Sequence, residues 1–126
     1  MFEQATAVGF VQVADAARAR AFYEGALGLT LTDDGFALVA ELAGGARLRI
    51  TELPGWTAGE HPVFGFRVDD AHGAAAAFAA RGLALERYAF LGEAQGADGV
   101  WTAPDGGKVG WFKDPDGNLL SFTSPS

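Results

Sequence analysis

The chain has 126 residues, 49% of them apolar and only 20% charged, which excludes a disordered tail and suits one domain with a single core. Nine Lys and Arg against sixteen Asp and Glu give a net charge of −7; this argues against a nucleic-acid surface, which needs clustered basic charge, and the absence of cysteine excludes disulfides, thiolate nucleophiles and cysteine-ligated zinc together. No apolar run approaches the roughly 18–20 residues of a membrane span, and the start, MFEQATAVGF, lacks the marks of a signal peptide, so a small, acidic, soluble, cytoplasmic domain is expected.

Residues 6–13 (TAVGFVQV) are apolar and β-prone and run into Asp15, a good helix N-cap residue. Residues 16–27 are rich in Ala and Arg, strong helix formers, and Gly28 follows where a helix end favours a left-handed residue. Short strands are expected at 30–33, 36–42 and 46–52, the last two flanking Ala43-Gly44-Gly45, which reads as a hairpin turn. Leu53 to Gly59, with Pro54 and Gly55, reads as a linker. The pattern then restarts. A strand is expected at 63–68, a cap at Asp69-Asp70, a helix at 71–81 stopped by Gly82, and strands at 84–90, 100–103, 108–113 and 118–123. Pro104-Asp105-Gly106-Gly107 and Asp114-Pro115-Asp116-Gly117 are turn sequences.

The restart is a duplication. Val8, Val13, Asp15 and Ala16 recur as Val63, Val68, Asp70 and Ala71 at an offset of 55, and Gly45 aligns with Gly117 across the hairpin turns at an offset of 72. The fold class read from this is α+β: a single domain of two βαβββ modules, about 1–53 and 62–126, joined by a linker at 54–61. Their curved mixed sheets are expected to surround a central cleft.

Val13, Asp15, Phe22, Tyr23 and Leu27-Gly28-Leu29, with the late Trp111-Phe112-Lys113-Asp114-Pro115-Asp116-Gly117-Asn118 segment, resemble the vicinal oxygen chelate superfamily. That superfamily includes glyoxalase I, extradiol dioxygenases, fosfomycin-modifying enzymes and bleomycin-resistance proteins. The resemblance runs from about residue 6 to 123 and is specific for fold, not for function. In the superfamily's metal enzymes it implies ligands on the first, fourth, fifth and eighth strands, at the positions held here by Val8, Arg49, Val63 and Ser121. Valine cannot coordinate, a guanidinium repels a divalent cation, and a serine hydroxyl is a poor ligand alone. No metal and no other cofactor is therefore expected. His61 falls two residues before Val63 and would share its face on a continued strand, but one histidine without a carboxylate makes no metal site. His72 reads as a surface residue of the second helix.

Without a metal, Arg49 is the natural polar anchor. By the period of two it shares a strand face with Arg47 and Thr51. A half-buried arginine needs a partner, which is either a ligand carboxylate, phosphate or polar oxygen, or an internal acid such as Glu41. Arg47, beside the turn, reads as solvated. Val8 and Val63 would make an apolar floor, Phe36 and Trp101 an apolar wall, and Ser121 a nearby hydroxyl; Trp56 is a second loop aromatic that could line the site. The ligand-binding set is thus Val8, Phe36, Arg49, His61, Val63, Trp101 and Ser121. The expected function is metal-independent binding of an anionic or aromatic small molecule, with a homodimer as the assembly and neither nucleic acid nor membrane as partner. The alternative is a glyoxalase- or dioxygenase-like enzyme with displaced ligands or a metal-free mechanism, for which Glu41, Glu52 and His61 are the acid–base candidates.

Overall fold

The computed structural model describes residues 1–126. Strands β1 (Val8–Val13), β2 (Leu31–Asp33), β3 (Leu38–Glu41) and β4 (Arg47–Glu52) with helix α1 (Ala16–Gly25) form a first βαβββ module. Strands β5 (Pro62–Arg67), β6 (Trp101–Thr102), β7 (Lys108–Lys113) and β8 (Leu119–Ser124) with helix α2 (Ala71–Ala80) form the second. The sheets are ordered β1-β4-β3-β2 and β5-β8-β7-β6. In each, the helix carries the chain back so that the next strand runs as the first did, and two antiparallel steps leave the last strand parallel to the first.

The two sequence offsets reappear as strand register. Phe10 pairs with Arg49 and Gln12 with Thr51 in the first sheet; Gly65 pairs with Ser121 and Arg67 with Thr123 in the second. The equivalence slips at the start of β5, where an irregularity between Pro62 and Phe64 pairs Pro62, not Val63, with Leu119. The helix starts follow the capping rule. Asp15 accepts from the Arg18 N–H and Asp70 from the Gly73 N–H, each from extended backbone. Gly28 and Gly82, just past the helices, both have φ of 71°, which a side-chain-bearing residue would resist.

By its contacts the chain divides into two compact units. One comprises Met1–Gly59 with Pro115–Asn118, the other Glu60–Asp114 with Leu119–Ser126. In the first, alternation along β1 and β4 buries Val11, Val13, Leu48 and Ile50 against Ala19 and Tyr23 of α1. In the second, Phe78 of α2 meets the Phe112 ring edge-on at 4.9 Å and Phe122 at 5.8 Å. One face of each sheet is therefore committed to core. The other carries the chemistry.

The expected strand at 84–90 does not form. Its apolar and aromatic residues Leu85, Tyr88 and Phe90 suit a strand, but most of its backbone bonds go to a side chain instead of a neighbouring strand. Buried Gln95 accepts from the Tyr88 N–H at 2.9 Å and donates to the Glu86 and Gly99 carbonyls at 2.8 and 2.9 Å. A single ladder-like bond, Glu86 N–H to the Trp111 carbonyl at 2.7 Å, survives, and residues Ala89–Ala94 turn into short 3-10 structure. Asp69 shows no capping bond; Asp70 alone caps α2.

Candidate functional site

Two open sheet faces present functional groups, one in each unit. In the first unit, the pleat that buries Val11 and Val13 turns Val8 and Phe10 outward, 48% and 61% exposed. Beside them, Arg47 pairs with Val8 and Arg49 with Phe10 across β1 and β4. Arg47 is largely exposed, as expected, but it is bound to Glu41 at 2.9 Å. Arg49 takes an acid other than Glu41. Its Nη2 donates to Asp34 Oδ2 at 2.8 Å, and no group of the chain bonds its other two nitrogens. Asp34 is itself held in the β2–β3 turn: its Oδ1 accepts the Phe36 and Ala37 N–H groups, both at 2.9 Å. Those two backbone donors, with Arg49 third, lower its carboxyl from 3.8 to about 2. Arg49 is thus half fixed and half available, in the geometry a forked donor needs to take one more oxygen. Phe36 is 87% exposed at the tip of the same turn. Its ring suits a surface that another molecule covers, not a wall closed within the chain.

In the second unit, paired residues again share a face. Ser121 lies between Gly65 on β5 and Trp111 on β7, and Val109 pairs with both Trp101 and Thr123. A Cβ at Gly65 would come within 2.9 Å of Ser121 Oγ, so the glycine leaves room for that hydroxyl. Trp111, opposite Ser121, belongs to a run of rings. Trp101 and Trp111 are 6.0 Å apart, Tyr88 meets Trp111 edge-on at 5.5 Å, and Phe90 lies 5.8 Å from Tyr88 and is 84% exposed. Burial, then the Glu86 carboxylate, push the Tyr88 phenol up from 10, so it is a neutral hydroxyl at physiological pH. Val63 is half-buried at the β5 irregularity, and His61 precedes the strand on an exposed stretch.

Of the residues singled out from the sequence, Val8 and Arg49 thus share one face, Phe36 sits beside Arg49's partner, and Trp101 and Ser121 share the second face through Trp111. Tyr88, Phe90 and Trp111 are legible in the sequence only as aromatics whose side is not fixed; the ring contacts bring Tyr88 to Trp111 and Phe90 to Tyr88. Trp56 takes a structural bond, its Nε1 donating to Asn118 Oδ1 at 3.1 Å.

A divalent cation does not fit the residues present. Two of the four positions that would ligate are valines, Arg49 brings a positive charge, and Ser121 stands opposite Trp111. Nowhere do three or more His, Cys, Asp or Glu side chains gather. No helix is long and apolar enough to cross a membrane.

Two βαβββ modules, each a four-stranded mixed sheet, define a known class of protein. Residues 5–122 match the family model described as the glyoxalase/bleomycin resistance protein/dioxygenase superfamily, and the chain belongs to that superfamily. Among solved structures it is similar to TnmS3, an antibiotic-binding protein from Streptomyces sp. CB03234, at 25% identity and a TM-score of 0.73, over 100% of this chain and 99% of that one. It shares the fold of lactoylglutathione lyase from Agrobacterium tumefaciens at 19% identity and a TM-score of 0.70, over 95% of this chain and 92% of that one. A glyoxalase/dioxygenase from Nostoc punctiforme shares it at 16% identity and a TM-score of 0.71, over 98% and 92%. No curated protein sequence matches the chain.

Proposed function

We propose that this protein binds an aromatic small molecule without a metal. The observation that carries this reading is the ring system of Tyr88, Phe90, Trp101 and Trp111, with Ser121 opposite Trp111. Aromatic rings with a few convergent polar groups form the usual lining of a small-molecule site. The likeness to an antibiotic-binding protein at 25% identity supports the same reading. On the first unit, Val8 and Phe10 offer apolar surface, and Arg49, its fork only half used by Asp34, offers an anchor for a carboxylate or other anionic oxygen. Phe36, His61 and Val63 belong to the proposed ligand-binding set from their exposed or half-exposed positions. The exposed Val8, Phe10, Phe36 and Phe90 suit a homodimer, in which a second copy covers part of this apolar surface.

The test is a fluorescence titration with a planar aromatic carboxylate such as 2-naphthoate, before and after exhaustive chelation. Saturable quenching of the Trp101 and Trp111 emission that survives chelation is expected, and Ser121→Ala, on the same sheet face, should weaken binding by about 1.5 kcal/mol, the low end for a hydrogen bond to a charged group. Absence of saturable quenching, or binding lost on chelation and restored by a divalent metal, would overturn the proposal. Light scattering should give twice the 13.1 kDa chain mass; the mass of one chain at micromolar concentration would refute the dimer.

A further inference from the structure

The second unit contains a pocket that the aromatic face does not use. It lies along α2 and has a volume of about 310 Å³, at the lower end for small-molecule sites. One wall is a single helix face, with His72, Ala75, Ala76 and Ala79 at the three- and four-residue spacing that aligns them. The opposite wall is the Leu83–Arg87 stretch and the Ala97–Gly99 turn. Beyond His72 the helix side carries only the methyls of Ala75, Ala76 and Ala79, which leave the space open and the floor flat.

Gln95 and Arg87 tie the wall segment around Glu86 to Tyr88 to the loop that follows it, Gln95–Gly99. The Arg87 guanidinium donates to the Gly96 and Gln95 carbonyls at 2.9 and 3.4 Å, so it acts as a strut and not as a free cation. At one end of the pocket His72 Nδ1 lies 2.6 Å from Asp98 Oδ2. Asp98 is fixed in turn, its Oδ1 accepting the Val100 N–H at 3.1 Å. Burial works against the Asp98 charge, but the His72 and Val100 bonds outweigh it, and its carboxyl is lowered overall. An ionised carboxylate only accepts, so the proton of a neutral His72 sits on Nδ1. Nε2 is then a lone-pair acceptor, and no group of the chain bonds it.

We infer that the α2 pocket is a second binding site, for a neutral hydroxylated aromatic molecule of about one or two rings, whose O–H donates to His72 Nε2 while its ring lies on the alanine floor. The chemistry selects this class in two steps. The carboxylate of Asp98 at the rim disfavours an anion, and an acceptor nitrogen polarised from behind by a carboxylate favours a donor over a plain hydrocarbon. His72, Asp98 and Arg87 are the titratable and charged side chains that line the pocket. Asp98 is a positioning residue: it sets the tautomer and orientation of the ring that touches the ligand.

Phenol is the probe, with toluene and benzoate as controls lacking the donor or carrying a charge. NMR of the full chain follows the Ala75, Ala76 and Ala79 methyls, the His72 ring and the three indoles. Phenol should shift the alanine and His72 signals saturably and bind about fivefold more tightly than either control, the effect of one hydrogen bond between neutral groups. Ala79→Leu should fill the floor and abolish those shifts. His72→Leu, at an exposed position that leaves the core intact, should bring phenol down to the toluene level. The inference is overturned if phenol moves only the indoles of Trp101 and Trp111, if it moves nothing at tens of millimolar, if toluene binds as well as phenol, or if His72→Leu keeps phenol affinity. Because the indole and alanine signals report separately, failure here is distinct from failure of the aromatic-face proposal.

Discussion

Gly110→Ala should destabilise the fold through one identified collision. Gly110 sits in the middle of β7 opposite Phe122 of β8, and the Phe122 ring lies across it. A Cβ at position 110 would strike the ring at Cζ, with Cε1 at 2.7 Å and Cε2 at 3.0 Å, where carbon atoms prefer about 3.5–4.0 Å. The ring would have to retreat by roughly 1 Å. It is only 3% exposed and is boxed in by Phe78 and Phe112, whose centroids lie 5.8 and 6.1 Å away, so little retreat is open to it. Overpacking of this kind costs about 1–3 kcal/mol, and the lower unfolded-state entropy of alanine returns less than about 1 kcal/mol. A net loss of about 2 kcal/mol is expected, read from urea unfolding at one fixed protein concentration. In a Phe122→Leu background the collision is gone, and the same glycine change should cost at least about 1 kcal/mol less, a coupling well above the scatter of independent sites. Equal cost in both backgrounds, or a Gly110→Ala protein as stable as the parent, would refute the reasoning.

Asn118→Leu should cost about 2–4 kcal/mol, because the 2%-exposed amide donates to the Gln12 carbonyl at 2.7 Å and accepts from Trp56 Nε1 at 3.1 Å, and leucine leaves both unpaired; thermal unfolding measures it. Gln95→Ala should speed hydrogen exchange at the Tyr88 amide and loosen the α2 pocket wall while leaving the β1–β4 amides protected, since Gln95 alone satisfies the Tyr88, Glu86 and Gly99 backbone groups it touches. Asp34 should titrate at about 2 by carboxyl NMR. Its folded value lies below the ordinary one, so its contribution to stability is present above about 3.8 and is lost as pH falls from there to about 2. Arg49→Ala should raise that value only in part, because the Phe36 and Ala37 N–H donors, the larger causes, remain.

The repeat of Val8-Asp15-Ala16 as Val63-Asp70-Ala71 was enough to determine two βαβββ modules, because strand period, helix caps and turn glycines are local preferences that each module states in its own residues. The same arithmetic placed Arg49 and Ser121 on equivalent strands, and the register agrees. What sequence alone left undecided were pairings between residues far apart in the chain or turned by a loop. Arg49 chose Asp34 over Glu41 because two turn N–H groups had already aimed the Asp34 carboxylate, while Glu41 lies directly opposite Arg47 in the β3–β4 register. The Asp33-Asp34-Gly35 turn was a visible signal for that, though not for which arginine would answer it. Residues 84–90 carried a strand pattern that tertiary structure overrode, since Gln95, a polar residue with no periodic mark, captured their backbone. His72 and Asp98 are 26 positions apart and become a pair because the Ala97–Gly99 turn comes up to the start of α2. Local propensity is written residue by residue; the choice among competing hydrogen-bond partners is made by whichever group the folded chain has already fixed in place.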